Sequence, residues 1–152
     1  MDFTVVEKPS FMVIGIACRT CNESYEAMHD IPKLWEQFFK ETCQGRIPNR
    51  ISEEIVALYC DYEKDHTKPY TLIIGCGVPS LEVIPKGMVG KVVPASKYAL
   101  FQAKGDQPRT LIDTWISIWQ MDLERTYLGD FEIHHLDFGH NPRTIDVFVG
   151  IK

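Results

Sequence analysis

The 152-residue sequence predicts an α+β domain in which two tandem β-α-β-β units pair into one larger antiparallel sheet. Three observations carry this. The order strand, helix, strand, strand occurs twice, over about residues 3–78 and 92–152. The two helices carry similar apolar stripes: Ile31, Leu34, Trp35, Phe38 and Phe39 in one, and Leu111, Ile112, Trp115, Ile118 and Trp119 in the other. In each stripe the tryptophan stands four positions after the first residue. The last strands of the units echo each other, Ile-Ile-Gly-Cys at 73–76 and Phe-Val-Gly-Ile at 148–151. A three-stranded sheet with one helix buries too little alone, so the units complete their core by pairing. Ligand sites favour module interfaces, which places a cleft at their junction.

Residues 11–18, rich in β-branched side chains, read as the first strand. A polar stretch from Arg19 to His29 leads into a helix with Asp30 as N-cap and Pro32 just inside it, ended by Gly45 and Pro48. Ile55–Tyr62 and Tyr70–Val78 are strands, joined by a polar turn over Glu63–Lys68. Residues 79–91, interrupted by Pro85, Gly87 and Gly90, read as a connector with a strand-like Leu81–Ile84. The second unit follows: a strand over 94–103, a helix over about 108–121 and a strand over Asp130–Asp137. A turn holding Gly139, Asn141 and Pro142 precedes the last strand, Thr144–Ile151.

Composition removes several function classes. The net charge of -5, the pI of about 5.5 and the absence of a Lys/Arg run argue against direct nucleic-acid binding. The apolar run Phe11–Ala17 lacks a basic leader and is too short for a signal or a membrane span. Five cysteines, an odd number, do not describe a secreted disulfide framework, and the expected location is cytoplasmic. Cys18-Arg-Thr-Cys21 has no second pair to complete a zinc site and no helix start for thioredoxin chemistry. His134 and His135 are adjacent on a strand and point to opposite faces, so they cannot share a metal. His135 and Asp137 share a face but lack a third ligand. Gly75-Cys-Gly77 lacks the third glycine of a dinucleotide fingerprint and reads as close backbone packing. No nucleophile triad is recognisable, and no cofactor or metal is expected.

The stretch that remains is Asp130–Asp137. Its alternation puts Phe131 and Ile133 on one face and Glu132, His134 and Leu136 on the other. A carboxylate in mid-strand must be paired, hydrated or reserved for a cationic partner. Set among aromatic rings, it offers a cation both Coulomb attraction and π-faces. A solvated strand face, or pairing with Arg143, is the plainer reading. Trp35, Trp115 and Trp119 lie on helical stripes and read as core, with Trp115 placed to present its edge at the cleft. Tyr59 alternates with Asp61, so the two are expected on one face.

The run Tyr59-Cys-Asp-Tyr-Glu-Lys-Asp65, then Pro69-Tyr-Thr-Leu-Ile-Ile-Gly75, resembles the first half of the GyrI-like effector-binding domain. Val93-Pro-Ala-Ser-Lys-Tyr98, Gly105, the tryptophan-bearing helix, Phe131-Glu-Ile and Val147-Phe-Val-Gly-Ile151 resemble its second half. The match spans roughly residues 3–152. The resemblance implies an eight-stranded, two-module antiparallel sheet with two main helices. It also implies an aromatic pocket around a buried glutamate that receives bulky lipophilic cations or aromatic drugs. The glutamate falls on Glu132, and an aromatic position of the last strand falls on Phe148, where tyrosine is common. A pocket position usually apolar falls on His134, whose protonation would repel a cationic ligand. Such domains serve AraC-type and MerR-type regulators. With no helix-turn-helix ahead of it, this chain is expected to be a stand-alone copy rather than a complete regulator.

The leading expectation is therefore a small-molecule binder in which Glu132 supplies charge, with Phe148, Tyr59, Trp115, His134 and Leu136 around the ligand. Two alternatives arise from the same resemblance. One is a hydrolase opening cyclopropane rings of DNA-alkylating compounds, with Glu132 as general base. The other is an interaction protein that inhibits DNA gyrase, or the partner of a regulator.

Overall fold

The computed structural model describes residues 2–23, 25–135 and 143–152. Its strands are β1 (Thr4–Lys8), β2 (Phe11–Thr20), β3 (Ile55–Cys60), β4 (Tyr70–Val78), β5 (Val89–Val93), β6 (Ser96–Gly105), β7 (Asp130–His134) and β8 (Arg143–Ile151). The helices are α1 (Glu26–Lys40), a single turn α2 (Cys43–Arg46) and α3 (Arg109–Gln120). All eight strands form one antiparallel sheet in the order β1-β6-β8-β7-β3-β4-β2-β5. Outward from the central pair, β3-β4-β2-β5 matches β7-β8-β6-β1, the pseudo-twofold arrangement that the repeated unit predicts.

Each half takes its edge strand from the other. β1 stands ahead of the β2-α1-β3-β4 run yet pairs with β6, and β5 stands ahead of the β6-α3-β7-β8 run yet pairs with β2. Sequence reasoning missed both strands, because neither buries an alternating apolar face: β1 is mostly exposed, and β5 buries only Val93. Leu81–Ile84, which looks strand-like, is irregular, and the strand of that segment is β5. Edge strands are held by ladder hydrogen bonds to a neighbour more than by their own hydrophobicity.

The short links between these strands set the shape of the sheet. Only Pro9 and Ser10 join β1 to β2, although five strands lie between them in the sheet. Pro94 and Ala95 join β5 to β6 in the same way. A two-residue link reaches on the order of 10 Å, whereas six strand spacings in a flat sheet come to about 29 Å. The sheet must curl. The inside of the curl holds Val13, Leu58, Tyr98, Phe131 and Phe148. Phe131 and Phe148 stack at 4.5 Å there, and Phe11 reaches Phe131 at 4.9 Å.

The helices pack on the outer face. Leu34 and Phe38 of α1 lie among Ile14, Ile16, Leu72 and Ile74, and Ile118 of α3 lies among Ala99, Phe101 and Val147. α1 starts at Glu26, a turn earlier than predicted, and Asp30 is not its cap. The Asp30 carboxylate accepts the Thr20 hydroxyl at 2.8 Å and so ties the helix to β2. Close backbone packing at Gly75 is confirmed: it pairs with Gly15, and a Cβ there would overlap the Ile14 carbonyl. No helix among the described residues is long and apolar enough to cross a membrane.

Candidate functional site

The strands β3 and β7 meet at the centre of the sheet with Ala57 opposite Glu132 and Tyr59 opposite Asp130. This register puts Asp130, Glu132 and Tyr59 on the outer, helix-bearing face. α1 covers β2 and β4 and α3 covers β6, so the central seam lies between the two helices. Glu132 sits in that seam and is only 1% exposed. Its Oε2 accepts hydrogen bonds from the Tyr59 hydroxyl and the Trp115 indole N–H, both at 2.7 Å. Its Oε1 lies 2.7 Å from His134 Nε2.

Both helical tryptophans at the matching position of the repeat reach this seam. Trp115 comes from α3, while Trp35 of α1 packs over the His134 ring at 4.6 Å. Tyr59 meets Trp115 edge to face at 5.3 Å. Burial and then the adjacent Glu132 charge push the Tyr59 hydroxyl far above its usual range, so it stays a donor at neutral pH. Burying a carboxylate costs several kcal/mol; hydrogen bonds to a charged group each return about 1.5–3 kcal/mol. Among the described side chains, no lysine or arginine lies within ion-pair distance of Glu132. Among the described side chains the carboxylate is thus held by aromatic donors and one histidine, without a permanent cation.

Of the residues expected around the ligand, Tyr59, Trp115 and His134 converge on Glu132. Phe148 does not. Glu132 pairs with Val147, so Phe148, one residue on, points into the curl and stacks on Phe131. Leu136, Asp137 and the turn at 139–142 lie outside the described residues, as does the side chain of Arg143. Asp61 does not share the Tyr59 face: its φ of 50° turns the chain at the end of β3, and its carboxylate pairs with Lys91 at 2.6 Å. Trp119 is not core either, being 37% exposed and stacked on His66 at 5.4 Å.

A second polar centre, which sequence reasoning missed, lies two residues up β7. Asp130 is fully buried and accepts from Arg125 Nη2 at 2.7 Å, the Tyr62 hydroxyl at 2.6 Å and the Gly150 amide at 2.7 Å. The Arg125 guanidinium also lies over the Tyr127 ring at 4.4 Å. Strand parity alone puts Asp130 and Glu132 on one face, and that signal was available in the sequence. Arg125 was not legible, because it stands in an irregular segment between α3 and β7. A wall of tyrosines connects the two centres: Tyr59 to Tyr70 at 5.7 Å, Tyr70 to Tyr62 at 5.7 Å, and Tyr62 to Tyr127 at 5.4 Å.

Residues 4–151 match the model of a family described as Cass2, integron-associated effector binding protein. YobU of Bacillus subtilis (strain 168), described as a candidate transcriptional regulator protein, is 30% identical over 145 residues, which is 91% of this chain and 90% of YobU. The integron cassette protein VCH_CASS2 of Vibrio cholerae superposes with a TM-score of 0.73 at 25% identity, over 99% of this chain and 95% of that one. SAV2435, solved bound to tetraphenylphosphonium, has the same fold with a TM-score of 0.79 at 17% identity, over 100% of this chain and 94% of that one.

Proposed function

The chain belongs to the integron-associated effector binding protein family, and on that premise we propose that it is a cytoplasmic receptor for bulky aromatic cations, with Glu132 as the charged group. The GyrI-like effector-binding fold and the transcription-regulator-like relative agree with an effector-sensing role. The observation that carries the reading is the state of Glu132: a carboxylate 1% exposed, among π-faces, without a lysine or arginine counter-ion among the described side chains. Tyr59 and Trp115 hold it in place by their hydrogen bonds. A flat or propeller-shaped cation entering between α1 and α3 displaces these rings from the carboxylate and stacks on them instead. Attraction and cation–π contact both strengthen once water is excluded. Tetraphenylphosphonium on SAV2435 is an example of this ligand class on the same fold.

His134 is the internal competitor. When protonated it stands where the ligand's positive centre would stand, 2.7 Å from Oε1. Stacking and one charge impose little directional demand, so the receptor accepts several cations of similar size. Titration of tetraphenylphosphonium against tryptophan fluorescence tests the reading. Binding in the micromolar range is expected, weakened by tenfold or more in Glu132→Gln, which corresponds to about 1.4 kcal/mol or more. Equal affinity of the two proteins would remove Glu132 from the site.

A further inference from the structure

The Arg125 centre is built like the other end of the same ligand site. The Arg125 side chain is 4% exposed, and among the described residues only its Nη2 has a hydrogen-bond partner; Nε and Nη1 are buried without one. Asp130 takes Nη2, the Tyr62 hydroxyl and the Gly150 amide, and neither Nε nor Nη1 lies within hydrogen-bond distance of it. A guanidinium has no other state in which these donors vanish, and buried donors of this kind call for an ordered water or a ligand oxygen. His66 stands alongside. Its Nδ1 is also buried without a hydrogen-bond partner among the described residues. Burial and then the charge of Arg125 hold its imidazole below the usual pKa, so it is neutral at pH 7. The Trp119 indole, 37% exposed, stacks on His66 at 5.4 Å and forms the solvent side of this group.

We propose that Arg125 and His66 form a hydrogen-bond donor subsite for a carboxylate on the same ligand that Glu132 holds by its cation, so that the preferred effectors are aromatic zwitterions. The inference rests on the Glu132 reading and specifies its ligand. The two centres share one face of β7, and two residues of strand separate them by about 7 Å, the span of one aromatic ring with its substituents. The rings of Tyr59, Tyr70 and Tyr62 lie between them, tilted against one another at 5.7 Å, and line the path with aromatic side chains. A fixed fork of N–H donors suits a planar carboxylate. Since Asp130 neutralises the guanidinium charge, the preference arises from the idle donors and is moderate in size.

The test compares (4-carboxybenzyl)triphenylphosphonium with its methyl ester by titration calorimetry on the full chain. The two probes share the cation and differ in the carboxylate. The wild type is expected to bind the acid roughly tenfold tighter than the ester, the size of one hydrogen bond to a charged group. That ratio falls to about one in Arg125→Lys, which keeps an ion pair to Asp130 but loses the fork, and narrows in His66→Phe, which keeps the stack on Trp119. Equal affinities in the wild type, or a preference that survives both variants, overturn the inference. If Arg125→Lys does not fold, the wild-type ratio and His66→Phe decide. Glu132-dependent binding of the ester without preference for the acid sinks the carboxylate subsite alone, and the idle donors then hold water. Binding of neither probe overturns the Glu132 reading together with this one.

Discussion

Replacing Asp130 with alanine tests how the centre of the sheet is held. The side chain is fully buried, and the partner it abandons, Arg125, is 4% exposed. Breaking a buried ion pair from one side costs about 3–5 kcal/mol, because the other charge stays buried. The Gly150 amide and the Tyr62 hydroxyl each lose an acceptor as well, adding on the order of 1 kcal/mol or more apiece. Against a typical total of about 5–15 kcal/mol this leaves a marginal protein, with a melting point lower by about 10 °C or more. Thermal and urea unfolding measure the loss. In the companion variant Arg125→Met the buried charge is gone, so Asp130→Ala on that background should cost less, with a coupling of about 2 kcal/mol or more. A loss below about 1 kcal/mol for Asp130→Ala, or simple additivity of the two changes, would refute this account of the cluster.

Three further outcomes follow from the same geometry. The Tyr59 hydroxyl is raised by burial and by Glu132, above an unfolded value of about 10. The folded protein therefore holds this proton more tightly than the unfolded chain: its contribution is complete below about pH 10 and lost as pH rises beyond it, by about 1.4 kcal/mol per unit. Urea melts from about pH 9 to about pH 11 should show the decline, less steep in Tyr59→Phe; an unchanged slope in the variant would contradict the assignment. Gly75→Ala forces a Cβ into the Ile14 carbonyl across the β2–β4 pair and should cost about 1–3 kcal/mol or more, whereas Gly77→Ala, whose Cβ meets its nearest neighbour at an ordinary contact of 3.9 Å, should cost much less in the same unfolding assay. Burial pushes the Cys60 and Cys76 thiols up to about 12 and about 11, so alkylation near neutral pH should spare both until the protein is unfolded; labelling of either in the native state would contradict their packing.

Much of this was legible in the sequence, for identifiable reasons. Helical spacing in the two stripes gave α1 and α3 and matched Trp35 to Trp115, the two indoles that reach the central seam. Two-residue parity from Phe131 correctly set Glu132 and His134 on one face of β7. Phe148 was placed beside Glu132 by the resemblance alone; the face of one strand depends on its register against the next, and Glu132 pairs with Val147, which turns Phe148 to the other side. β1 and β5 left no pattern because they are held by backbone bonds to the opposite module. Phe39 and Ile112 belong to the apolar stripes yet remain exposed, since the helices cover separate halves of the sheet and leave those flanks unpacked. Arg125 reaches Asp130 from an irregular segment whose path no periodicity encodes.

The central claim is that the seam recognises charge through Glu132 and does not merely accept apolar bulk. Calorimetric titration with tetraphenylphosphonium and with tetraphenylborate, ions of nearly equal size and shape and opposite sign, tests it most directly. The account predicts binding of the phosphonium and at least about a hundredfold weaker binding of the borate, a difference of about 2.7 kcal/mol or more. Comparable affinity for the two ions would contradict it and leave only an apolar groove.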